Sequence, residues 1–140
     1  MNTNSASYNA GKNNADLVFM SEEYTLKNAV SNATRTVNLF ANKAMSIGQK
    51  ILVIVTRLQS TDLGRIDVAN CTYKLIQNAS NGVDRYRLYG CTYIVTITGN
   101  NPVFNYSFGS YSKGTEATKQ IQALICNLGY GNITGTAYND

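Results

Sequence analysis

Short runs of β-branched and aromatic residues, separated by Asn, Ser and Gly, set the pattern of this chain. Residues 17–20, 24–26 and 34–40 read as short strands, and 51–55 is the most strongly β-branched run, predicting a strand over 49–58. Residues 65–68 and 71–77 continue the sheet. Asn78-Ala79-Ser80-Asn81-Gly82 predicts a hairpin loop, because Asn-Gly supplies the left-handed backbone of a tight reversal. A return strand over 83–98 and a strand over 103–108 follow, the latter with Phe104, Tyr106 and Phe108 on one face.

The return strand breaks simple alternation. Its odd positions run Arg85, Arg87, Tyr89 and then Cys91, Tyr93, Val95, Ile97, so a strict period of two would put two arginines on the core face. A β-bulge at Gly90 resets the register, leaving Tyr86, Leu88, Cys91, Tyr93, Val95 and Ile97 on the apolar side. Further on, Ile121, Leu124, Ile125 and Leu128 follow the i, i+3, i+4, i+7 spacing, which predicts an amphipathic helix over 116–128, capped by Thr115 and ended by Gly129. The expected fold is therefore α+β: an N-terminal hairpin and an antiparallel meander, then one C-terminal helix. Residues 1–15 hold little to bury and predict a flexible arm ahead of a single domain over 16–140.

Composition narrows the chemistry. The chain of 140 residues contains no His, which removes Ser-His-Asp and Cys-His nucleophile pairs and a His general base. Glu22 and Glu23 point apart in a strand, Cys71, Cys91 and Cys126 form no CxxC pair, and no phosphate-binding glycine loop opens a helix. No catalytic activity, metal or cofactor is expected. The residues before Asp16 lack the apolar core of a signal peptide, and no run of about 18 apolar residues could span a bilayer, so the cytoplasm is the expected site of synthesis.

Charge adds a direction. The overall +4 divides into −2 over residues 1–23, −1 over 116–140 and +7 between them, which points to a polyanionic partner. Alternation places Lys50 and Thr56 on one strand face and Thr72 and Lys74 on another. With Arg85, Arg87, Tyr89, Thr92 and Thr96 they form the polar side of an antiparallel sheet. Such a side suits RNA: cations neutralise phosphates, Tyr89 offers a stacking plane, and hydroxyls read base edges or the 2′-OH. The other reading of the same surface is the ordinary wet face of a one-sided sheet.

The order of these elements resembles the coat protein of levivirus-like single-stranded RNA bacteriophages. The local likeness is Phe104-Asn105-Tyr106-Ser107-Phe108, a polar stretch over 109–115, the helix over 116–128 and a Gly-containing tail over 131–138. The resemblance implies a homodimer whose C-terminal helices clasp the partner through Ile121, Leu124, Ile125 and Leu128. It also implies an icosahedral shell in the virion, assembled in the bacterial cytoplasm, whose inward sheet face binds genomic RNA and a translational repressor hairpin. The alternative reading is a secreted or surface β-sandwich whose Tyr- and Asn-rich loops bind carbohydrate.

Overall fold

The computed structural model describes residues 20–29, 34–58, 65–81, 88–109, 117–131 and 135–138. The described residues form eight strands: β1 (Met20–Ala29), β2 (Thr34–Asn38), β3 (Lys50–Leu58), β4 (Arg65–Ala69), β5 (Cys71–Asn81), β6 (Leu88–Ile97), β7 (Val103–Gly109) and β8 (Ala117–Gly129). They form a five-stranded sheet in the order β1-β8-β3-β6-β5 and a three-stranded sheet in the order β2-β7-β4. All pairings are antiparallel. β1 with β8, β2 with β7 and β3 with β6 are nested pairs, the winding of a jelly roll. β5 departs from that plan by joining the large sheet beyond β6.

Among the described residues the fold is thus all-β, and the expected α+β architecture is corrected on three counts. First, the segment predicted as a C-terminal helix is β8, which lies between β1 and β3 and pairs with both. Ile121, Ala123 and Ile125 face the core, while Leu124 and Leu128 are half-buried outside it. Apolar residues thus stand at both parities of this strand, and the union of the two sets imitates helical spacing. Second, among the described residues β1 and β2 make no N-terminal hairpin, since they sit in different sheets. Third, successive strands mostly cross between sheets, so the meander is absent.

The predicted bulge is also misplaced. β3 and β6 pair without interruption from Lys50↔Thr96 to Leu58↔Leu88, and Gly90 has no positive φ. The register shift falls instead on β5, between Leu75 and Gln77. The expected loop over 78–82 is overturned as far as Asn81, which still belongs to β5. Residues 1–15, Arg85 and Arg87 lie outside the described residues.

The core fills the space between the sheets. Ile51, Val53 and Val55 from β3, Tyr93, Val95 and Ile97 from β6, and Ile121 and Ile125 from β8 meet Phe104, Tyr106 and Phe108 of β7. Each comes from alternate positions, as a pleated strand requires. Phe40, Tyr73 and Tyr93 surround Phe104 at ring-centroid distances of 5.4, 5.7 and 5.7 Å, the Tyr contacts edge-on. The buried polar side chain of Gln49 is tied at both ends: its Oε1 accepts from Ser46 N at 2.9 Å and its Nε2 donates to Asn127 Oδ1 at 2.9 Å.

A single residue turns the chain from the small sheet into the large one. Asn70, at φ 58°, separates β4 from β5, and its carbonyl accepts from Thr98 N and Gly99 N at 2.9 and 3.1 Å. Asn tolerates the left-handed region better than most residues. Gly99 is required here, because a Cβ would stand 2.8 Å from Asn70 Oδ1.

Candidate polyanion interface on the large sheet

Alternation gives the large sheet an outer face made of even-numbered residues on β3 and β6, opposite the core. Lys50 is paired with Thr96 across β3 and β6, Thr72 with Thr96 across β5 and β6, and Lys74 with Ile94. Lys50 Nζ donates to Thr96 Oγ1 at 2.8 Å, which holds the ammonium over the strand pair. The four polar residues line a cavity of about 210 Å³ together with Tyr73, Ile94 and Gly135. Among the described residues neither Lys50 nor Lys74 has a carboxylate partner. Two lysines and two threonines thus line one cavity that has no carboxylate among its lining residues.

The other expected contacts divide. Thr92 shares the outer face, where its Oγ1 lies 3.4 Å from Gln77 Oε1, and Thr56 lies farther along β3 between Gly90 and Gln122. Between these positions Leu52, Ile54, Ile94 and Leu124 form a half-buried apolar stretch, so the face is only partly polar. Tyr89 is on the opposite side. It pairs with Arg57, whose guanidinium carbon stands 4.6 Å from the Tyr89 ring centroid. Arg57 occupies the inner face at the end of β3, and burial pushes the Tyr106 phenol beside it up to about 12, against the opposing pull of the Arg57 charge and hydrogen bond. An arginine is thus accommodated on the core side by aromatic stacking, which removes the premise behind a register reset at Gly90.

The apolar strip proposed for the dimer interface does not exist as one surface. Ile121 and Ile125 are buried in the core of their own chain, whereas Leu124 and Leu128 are half-buried elsewhere on β8. Two contributors to the cavity carried weaker signals. Tyr73 keeps the inward parity of Cys71 and Leu75, its ring against Tyr93 and Phe104, yet is 40% exposed because β5 is the sheet-edge strand. Gly135 approaches Ile76 and Ile94 so closely that a Cβ would meet Ile76 Cγ2 at 3.0 Å. The Gly-rich tail that passes over β5 is held by Tyr138 N donating to Leu75 O at 2.7 Å.

A second polar group sits at the other edge of the sandwich. Lys43 Nζ lies 2.5 Å from Glu22 Oε1, and the Tyr24 hydroxyl donates to Glu22 Oε2. They line a cavity of about 440 Å³ with Val37, Asn38, Ala41 and Asn42. Burial acts to raise the Glu22 carboxyl, but the hydrogen bonds from Lys43 and Tyr24 and the Lys43 charge outweigh it and hold the group below its ordinary value. Burial, then the neighbouring carboxylate, raises Tyr24, which keeps its proton as a donor. Of the thiols, Cys71 and Cys91 are buried, and desolvation raises Cys71 against a hydrogen bond from the Ala69 backbone. This is the opposite of thiolate activation.

Comparison with protein-family models, with curated proteins and with solved structures finds no match.

Proposed function

We propose that this chain is a coat protein that assembles in multiple copies around single-stranded RNA and holds the RNA against the outer face of its large sheet, its place being the virion. The observation that carries the reading is the convergence of Lys50, Lys74, Thr72 and Thr96 on one cavity with no carboxylate among its lining residues. Two backbone phosphates, one charge each, would balance the two ammonium groups, and the hydroxyls offer donors and acceptors to a ribose. The excess of +7 in the middle of the chain supplies the wider field. The jelly-roll winding is compatible with a shell but also serves lectins and cupins, so the fold alone does not choose among them. The proposal uses nothing from the helix clasp of the levivirus-like coat proteins, whose segment here is β8.

Electron microscopy of the purified protein, with its absorbance at 260 and 280 nm, tests the reading. Uniform particles with a nucleic-acid spectrum are expected, and RNA-free protein that neither forms particles nor binds RNA overturns it. One observation favours a second reading, carbohydrate binding: Tyr73, whose ring lies on the inner side edge-on to Tyr93 and Phe104, is 40% exposed on the edge strand and offers a sugar a stacking plane. Binding to a neutral glycan with little dependence on salt would select that reading.

A further inference from the structure

The edges of the two sheets are not equivalent. On β5 the Leu75 carbonyl is taken by Tyr138 N and a register shift interrupts the strand at Ile76. On β1 the Thr25 carbonyl accepts from Arg35, and a register shift lies between Leu26 and Ala29. Such features blunt an edge against further pairing. β4 has neither. It pairs regularly with β7 from Arg65↔Ser107 to Ala69↔Val103, and among the described residues no strand lies along its other side.

The side chains of β4 alternate. Ile66 and Val68 are half-buried toward the core, whereas Arg65, Asp67 and Ala69 are exposed on the outer face of the small sheet. Arg65 and Asp67 make no ion pair among the described residues. Two copies of β4 related by a two-fold axis perpendicular to the sheet keep their faces in common, so the axis must pass through a residue position of the strand. Centred on Arg65 or on Asp67, the pairing sets like charges directly opposite each other. Centred on Ile66, it sets Arg65 of one protomer opposite Asp67 of the other, twice, at the separation where cross-strand pairs interact. The other edge strand of the small sheet, β2, offers no such self-complementarity, since Arg35 would face Val37 about its centre.

We propose that β4 pairs antiparallel with β4 of a second copy about Ile66, joining two small sheets into one six-stranded sheet locked by two reciprocal Arg65–Asp67 pairs. This identifies the partner and the contact for the self-assembly proposed above. It rests on that reading for its role in a shell, while the dimer itself is scored on nucleic-acid-free protein.

The test measures dimer dissociation by analytical ultracentrifugation for the unaltered chain, R65D, D67R, R65D/D67R and an equimolar mixture of the two single variants. Circular dichroism of each confirms the fold, which exposed edge positions should not disturb. Each single variant replaces two attractive pairs by two like-charge contacts and should weaken the dimer by about tenfold or more. The double variant should recover the affinity, and the mixture should form a heterodimer in which the wholly acidic edge of R65D faces the wholly basic edge of D67R. A monomeric parent, single variants that dimerise as well as the parent, or failure of both the double variant and the mixture to recover overturns the proposal. If dimers behave as expected but bind no RNA, the coat reading fails and the edge pairing stands.

Discussion

The two faces of the large sheet are made by the same five strands and follow different rules. On the inner face Ile51, Val53, Val95 and Ile125 are fully buried, and the sheet is dry from β8 to β6. On the outer face Leu52, Ile54, Ile94 and Leu124 are only half-buried, and the surface becomes polar toward Lys50, Thr72, Lys74 and Thr96. The inner face therefore carries stability, and the outer face is free to carry recognition. Adjacent residues of one strand should respond very differently to the same substitution.

β8 offers the sharpest form of that contrast. Ile125→Asp would place a charge in the core opposite Val53 and should cost about 4 kcal/mol or more, enough to unfold most of the population. Leu124→Asp, one residue away and opposite Ile54 on the outer face, should cost about 1 to 2 kcal/mol. Urea denaturation of both variants checks the pair. A helix would put both side chains on one buried strip, so equal and large losses would contradict the strand.

These residues also show how far the fold is legible in the sequence. The core positions of β3 and the Phe104, Tyr106, Phe108 face follow from alternation, because each of those strands has clear turn signals and a strong β-branched or aromatic run. β8 reads as a helix because apolar residues stand at both parities, Ile121 and Ile125 in the core and half-buried Leu124 and Leu128 outside it, which blurs the period of two. The placement of Arg57 defeats a simpler rule: alternation alone bars a cation from the core side, yet stacking on Tyr89 accommodates it at the end of the sheet. Within the site, Lys50, Thr72, Lys74 and Thr96 share a face as parity requires. Gly135 could not be assigned to them from the sequence, since its position depends on the path of the tail across β5.

Besides Arg57, a second cation sits at the margin of the inner face. Lys43, with its side chain 5% exposed, is held by Glu22 and Tyr24. Lys43→Met should destabilise the chain by about 1 to 2 kcal/mol, between the values for exposed and fully buried pairs, since Glu22 keeps some contact with water. The pH dependence has a definite sign. The folded-state value of Glu22 is lowered, so its contribution is complete above the ordinary carboxyl value of 4.5 and is lost as pH falls through the folded value. Denaturation midpoints measured from pH 6 down to pH 3 should fall less steeply for Glu22→Gln than for the parent. An unchanged slope would show that the pair contributes nothing to acid stability.

The outer face should give the smallest change in stability and a clear change in binding. Lys50 and Lys74 pair with no carboxylate among the described residues, and Lys50 bonds only the Thr96 hydroxyl, so Lys50→Gln/Lys74→Gln should alter the unfolding free energy by no more than about 0.5 kcal/mol. Each ammonium that meets a phosphate of single-stranded RNA contributes about 0.7 to the slope of log affinity against log salt concentration, so losing two contacts should flatten that slope by about 1.4. Filter binding of a single-stranded RNA between about 50 and about 300 mM salt reads this directly. Tyr89→Ala is the control from the inner face. Tyr89 stacks on Arg57 and does not line the lysine cavity, so this variant should lose stability while the salt slope remains that of the parent. If instead the lysine variant keeps its slope and Tyr89→Ala abolishes RNA binding without unfolding the chain, the nucleic acid meets the mouth of the sandwich rather than the outer face of its large sheet.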